Sequence, residues 1–303
     1  MRIRLLPAIL IALCLLLAAA CSGSGGEDAA SNQPDTADGT GDELVLNAIE
    51  ALGRSADDFQ TDVTSLQGRM SMEMTIGEMP FGFGGDFAFQ SPDRMQMTME
   101  FSGGDDTLFD LTQFGSMKVL VIGEDIYIKM AFLGDSWVKA SFEDLGVDAD
   151  QFREMLADQS PFDYSALVDG LGDDVQVQDL GPEDLEGRAV HHYRFASDYG
   201  TLMEALSSFG GGFSDGGFPV DDISGPVVLD LWLGTDDLLP YKLAAKGAFV
   251  VDDIAAVGLG GNTAFNMTIA IEDYNADIDF PQPPADAIDI SEIGEDMLGV
   301  SDE

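Results

Sequence analysis

His191 and His192 are the only histidines in the chain, and imidazole is the side chain best suited to move protons or hold a metal near neutral pH. They fall in the stretch Ala189 to Phe195, whose alternation predicts a strand, and neighbours on a strand point to opposite faces. One histidine is expected on the apolar face and the other in solvent. The two cannot share a proton or jointly ligate an ion, so a structural pair is expected. The acidic pairs Asp173-Asp174 and Asp221-Asp222 could face Ca²⁺, yet neither has the alternating loop spacing with a distal Glu that a calcium loop needs. With 40 Asp against 16 Glu in the chain, such pairs arise by chance. Gly210-Gly211-Gly212 and Gly216-Gly217 neither follow a strand nor precede a Lys-Ser/Thr pair, so they form no phosphate cradle and read as a loop or lid hinge. No catalytic residue, metal ligand or cofactor site emerges, and a non-enzyme is expected.

The one residue with clear chemistry is Cys21. Before it come Arg2 and Arg4, the apolar run Leu5 to Ala20, and the small residues Ala18-Ala19-Ala20 that a signal peptidase accepts. That run is too short and too poorly flanked to serve as a permanent membrane span. Leu17-Ala18-Ala19-Ala20-Cys21 resembles the bacterial lipobox, in which the cysteine is acylated and becomes the mature N-terminus. The only other cysteine, Cys14, lies inside the leader, so the mature chain holds no disulfide although it is exported. A thiol pair or cysteine metal cluster is thereby excluded.

Loss of residues 1–20 removes two of 13 basic residues and none of 56 acids, leaving 11 − 56 = −45. Such a field repels nucleic acid and anionic headgroups, and argues against a polybasic membrane patch. Residues 21–41 are rich in Gly, Ser, Asp, Ala and Thr without apolar periodicity, and form a tether. Its reach is roughly 25 Å. The expected organisation is a leader over 1–20, the lipidated cysteine and tether over 21–41, one domain over 42–290, and an acidic tail over 291–303.

The domain opens with Asp42 as an N-cap before Leu44, Ala48, Ile49, Leu52, Ala56 and Phe59 at helical spacing. The period then changes to two. Over 65–76, Leu66, Gly68, Met70, Met72, Met74 and Ile76 alternate with polar residues. A turn over Gly77 to Pro80 leads to Phe81, Phe83, Phe87 and Phe89, and Ser91-Pro92-Asp93 leads to Met95, Met97, Met99 and Phe101. Further strands are expected over 118–122, 125–130, 137–140, 175–177, 189–195, 227–233, 241–251 and 265–274, with short helices over 149–156, 164–171 and 202–209. The proline-rich stretch from Phe280 to Pro284 cannot sit centrally in a sheet.

The meander therefore has one apolar face of Met and Phe, and alternation alone does not say whether that face is packed or open. Few helical segments are available to cover it, so what they leave uncovered must collapse or be occupied. Methionine is unbranched and polarizable, and repacks around different guests. Burying an acyl chain from water yields about 0.8 kcal/mol per CH₂, but a chain leaving a bilayer gains almost none of this, so a carrier need only match the membrane.

Beyond the lipobox, tether, helix and meander, the chain holds Asp125-Ile126-Tyr127-Ile128-Lys129 with Trp137-Val138-Lys139, Leu239-Pro240-Tyr241-Lys242-Leu243, Glu272-Asp273-Tyr274-Asn275 and Pro283-Pro284-Ala285. In these stretches and in their order it resembles the LolA-like and LppX/LprG-like bacterial lipoproteins. The resemblance implies an α+β fold, a curved antiparallel β half-barrel with helices covering the concave face. It implies a cavity for lipid or lipoprotein acyl chains lined by Met70, Met72, Met74, Phe83, Phe87, Phe89, Met95, Met97, Met99 and Phe101. The extreme acidity and the Gly-rich insertion depart from the family pattern, and an anionic guest should bind poorly unless salt screens the field.

The expected function is thus that of a lipoprotein anchored through Cys21 to the outer face of the cytoplasmic membrane, or to an outer membrane, which carries or presents acyl chains in the cell envelope. The alternative is an envelope sensor or protein-interaction module with a filled core and a membrane protein partner. Nucleic acid is not an expected partner.

Overall fold

The computed structural model describes residues 51, 55, 63–77, 79–91, 93–105, 109–110, 115–131, 136–142, 175–198, 225–254 and 259–292. The leader, Cys21, the tether, most of the helix after Asp42, the helices expected over 149–156, 164–171 and 202–209, both acidic pairs, the Gly-rich loop and the end of the acidic tail lie outside the described residues. Ala51 and Ser55 are described, and both are helical and buried.

The alternation of the first meander becomes β1 (Ser65–Ile76), β2 (Met79–Gln90) and β3 (Arg94–Asp105), followed by the short β4 (Phe109–Asp110), β5 (Ser116–Ile122), β6 (Asp125–Met130) and β7 (Val138–Ser141). The second meander is β8 (Gln176–Leu185), β9 (Arg188–Asp198), β10 (Pro226–Gly234), β11 (Pro240–Ile254) and β12 (Leu259–Tyr274). β13 (Ile288–Asp289) and a single 3₁₀ turn (Ile290–Glu292) follow. The limits of β1 and β6 match the sequence expectation. Met79 and Pro80 belong to β2 and not to the preceding turn. β8 runs well past Val177, because Glu186 and Gly187, at φ 55° and 89°, close a tight hairpin that lets the chain pair back at once.

The strands form one open, curved sheet in the order β13-β7-β6-β5-β3-β2-β1-β12-β11-β10-β9-β8, with β4 paired to β3. Every pairing is antiparallel except β13 with β7. The two meanders fuse where β1 meets β12, with Met70 opposite Ile269, Met72 opposite Met267 and Met74 opposite Phe265. At this seam a bulge falls between Gln67 and Gly68, and a Cβ on Gly68 would lie 2.2 Å from the Ala270 carbonyl oxygen. The close approach admits only glycine there.

The proline-rich stretch lies over the sheet and adds no central strand. Ile278 and Phe280 are buried with Ala88, Leu120 and Tyr127, and the Ile288 amide donates to the Trp137 carbonyl at 2.8 Å as β13 joins the edge beside β7.

Candidate ligand-binding face

Antiparallel partners share a face, so the register identifies one continuous apolar surface. Tyr193, Leu231, Leu243, Ile269, Met70, Gly85, Met99, Met117 and Met130 form a single row across nine strands. The adjacent row is Phe195, Leu229, Ala245, Met267, Met72, Phe83 and Phe101. Phe87 opposes Met97 and Phe89 opposes Met95 on the same face. All ten residues expected to line a cavity therefore stand on one face, together with Met117, Met130, Met267 and Phe265, which the sequence reading left out. The signal for them was present: each lies at the apolar parity of its own strand, but their strands could be aligned with β1 only through long-range pairing.

Burial divides this face into three parts. On one flank Met97, Met99, Met117, Val119 and Val121 are buried with Phe142, and Met99 is 0% exposed. On the other flank Phe195, Leu229, Leu231 and Leu233 are buried around Tyr193, and the helical Ala51 joins them. Between them Met70, Met72, Met74, Phe83, Phe87, Phe89, Met95, Phe101, Met267 and Ile269 are only half-buried. Gly85 sits in this central band with no side chain, and a Cβ there would meet the Thr98 carbonyl at 1.8 Å. Phe83 and Phe101 face each other across β2 and β3 with ring centroids 6.4 Å apart.

Charge separates the two faces. Arg69, Arg94, Lys118, Lys129, Lys139, Arg188, Arg194, Lys242 and Lys246, the Lys and Arg residues of the described chain, all take the parity opposite to the methionines. On that polar face Asp230, 6% exposed, accepts from Arg194 Nε at 2.6 Å and Nη2 at 3.1 Å and pairs with His192 Nε2 at 3.0 Å. Burial raises the Asp230 carboxyl, but the hydrogen bonds from Arg194 and His192 outweigh it and hold the group below the usual carboxylate range.

The histidines split between faces as their adjacency requires. His191 lies on the apolar side, paired to Asp179 at 2.6 Å and stacked on Tyr193. His192 takes the opposite face, but it is not in solvent. It is buried against Trp232 at 4.2 Å between ring centroids, since a strand neighbour with a large aromatic ring gives the imidazole a flat surface to cover. Among the described residues no group of three or more His, Cys, Asp or Glu side chains could hold a metal.

The stretches that carry the family resemblance supply structural ties, and Ile126, Ile128 and Leu243 among them stand on the methionine face. Lys139 pairs with Asp125 at 3.0 Å and lies 5.9 Å from the Tyr127 ring centroid. Tyr241 and Tyr274 meet edge to face at 5.3 Å, and the Tyr274 hydroxyl donates to the Pro240 carbonyl. Asn275, at φ 54°, accepts from the Thr64 amide at 2.8 Å and closes the β1–β12 seam.

No family model and no curated protein match the chain. It is similar to a number of solved structures. Among them are LprF from Mycobacterium bovis (14% identity, covering 78% of this chain and 97% of that one, TM-score 0.45), lipoprotein LppX from Mycobacterium tuberculosis (16%, 77% and 98%, 0.39) and a LolA superfamily protein from Nitrosomonas europaea (9%, 76% and 94%, 0.25). LppX and a LolA superfamily protein are also the names that the resemblance drawn from the sequence gives.

Proposed function

We propose that the chain is a membrane-anchored lipoprotein that binds acyl chains of lipids or lipoproteins on its apolar face and carries or presents them in the cell envelope, without catalysing a reaction. The observation that carries this reading is the half-buried band of Met70, Met72, Met74, Phe83 and Met267 between two buried flanks of the same face. A band of that kind leaves apolar area for a guest, and methionines let it repack around chains of different length. Phe87, Phe89, Met95 and Phe101 extend it, whereas Met97 and Met99 belong to the buried flank and would border a guest. Cys21 supplies the anchor, and residues 21–41 the tether by which a domain over 42–290 rides above the membrane.

The test is to express the chain from Ser22 onward, purify it without detergent, and extract it with organic solvent for mass spectrometry. Acyl lipid in about molar proportion supports the reading. A protein that is lipid-free and takes up no added lipid sinks it.

The burial of Met99 and Met117 favours a second reading, a sensor or protein-interaction module on the same fold whose core is filled throughout. Met72→Trp separates the two. Lost lipid uptake with retained stability supports a guest site, and lost stability supports a packed core.

A further inference from the structure

We propose that Met70, Met72 and Met267 form a thioether site for a soft monovalent cation, Cu⁺ or Ag⁺, in the middle of the apolar face. The site goes beyond lipid binding and does not rest on it.

The register gathers these side chains in one cell of the sheet. Met72 on β1 stands directly opposite Met267 on β12, which sets their Cβ atoms about 5 Å apart. Met70 and Met74 stand two residues to each side of Met72 on the same face, on the diagonals to Met267, a separation of about 7–8 Å that long side chains span. Met70 lies beside Gly85, so no β2 side chain takes the space next to it. Met72 lies beside Phe83, whose ring adds cation–π attraction for an ion held there. All four methionines are half-buried. Met99 and Met117 also stand opposite each other, but they are packed into the buried flank. The central thioethers are thus both close together and reachable.

Donor chemistry selects the metal. A thioether is an uncharged, polarizable ligand that suits Cu⁺, whereas Ca²⁺ and Mg²⁺ take oxygen ligands. Zn²⁺ takes thiolate, imidazole or carboxylate, and among the described residues those donors gather nowhere in groups of three. His191, the histidine on this face, stands on β9, four strands from β1 and about 19 Å away at the strand spacing. The described Lys and Arg residues take the opposite face, so none of them repels a cation here. The formal charge of −43 draws cations to the chain. A single charge makes a half-buried apolar setting less costly for Cu⁺ than for a hydrated divalent ion.

The experiment titrates the chain from Ser22 onward, which holds no cysteine, with Cu⁺ under anaerobic conditions against a chromogenic Cu⁺ chelator. Excess Mg²⁺ occupies the carboxylate surface. The wild type should take up one Cu⁺ per chain. After correction for the chelator's own titration, its affinity should stay within about twofold between about pH 5.5 and 7.5, because a thioether binds no proton, whereas a histidine-held ion would bind about tenfold more weakly at the acid end. Met72→Leu with Met267→Leu conserves volume and should melt near the wild type. It should bind Cu⁺ about 100-fold more weakly, and Met72→Leu alone about tenfold, which decides the matter should the double variant fold poorly. Met117→Leu, in the buried flank, should bind as the wild type does. No uptake by the wild type, uptake that survives the Met72 and Met267 variants, loss of uptake in Met117→Leu, or a tenfold fall at low pH overturns the proposal. Each of these results leaves the lipid-binding reading untouched.

Discussion

Met70 and Met99 occupy one cross-strand row of the same face, two strands apart with Gly85 between them, yet Met99 is 0% exposed and Met70 is half-buried. The residue type is the same, and so is the parity. Both flank Gly85, and what differs is the other side: Met99 lies beside Met117 in a buried cluster with Phe142, while Met70 lies beside the half-buried Ile269 at the margin of that cluster. A methionine on a sheet face is thus either core or adaptable surface according to what crosses above it, and this chain uses both on one sheet.

The largest expected effect sharpens that contrast. Met99→Ala should destabilise the fold by about 2–5 kcal/mol, as a truncation in a packed site does, whereas Met72→Ala should cost under about 1 kcal/mol. Denaturant unfolding of the two variants measures both. Similar losses would mean that the centre is packed like the flank.

A buried polar contact on the opposite face provides the control. Asp230→Ala leaves Arg194 and His192 without their carboxylate. It should cost about 2–3 kcal/mol, at the low end for a buried pair because Arg194 is partly exposed, and should leave lipid uptake unchanged. Because the folded-state Asp230 carboxyl titrates below its ordinary range of about 3.9, its contribution is present above that value and is lost as pH falls through the folded-state range. Acid melts should therefore show a shallower loss of stability in the variant.

Met72→Trp should abolish lipid uptake while shifting stability by less than about 1 kcal/mol, since a half-buried position tolerates a larger ring better than a filled one. The same substitution at Met99 should overpack the flank and cost about 1–3 kcal/mol. Binding titrations alongside melts separate these outcomes. The smallest effect concerns Tyr241, in the cluster against which Phe87, Phe89 and Ile269 pack. Burial and the 2.5 Å hydrogen bond to Asp237 push the Tyr241 hydroxyl up to about 12. Its stabilisation is complete below the unfolded value of about 10 and is lost as pH rises toward 12. Tyr241→Phe should flatten the fall in melting temperature over that interval.

Strand alternation made the meander legible in the sequence. β1 and β6 could be delimited because Leu66 to Ile76 and Ile126 to Met130 alternate without interruption, β1 ending at Gly77 and β6 starting from the Gly123-Glu124 turn. The pairing of β1 with β12 could not be read, because it joins residues about two hundred positions apart and no local signal sets that register. The apolar parity of Met267 was visible, but its place opposite Met72 was not. His192 was misjudged for a related reason: its partners Asp230 and Trp232 come from β10, and only the fold brings them together. The difference between Met70 and Met99 was likewise hidden, since burial depends on elements that cross the face and not on the strand's own pattern.

The most direct measurement of the central claim labels the methionine methyl groups with ¹³C and follows them by NMR while dioleoylglycerol is added to the chain from Ser22 onward. The Met70, Met72, Met74 and Met267 methyls should shift and saturate together, with Met99 and Met117 nearly unmoved. Central methyls that stay in place at saturating lipid, or six methyls that all shift alike, would contradict an open band between packed flanks.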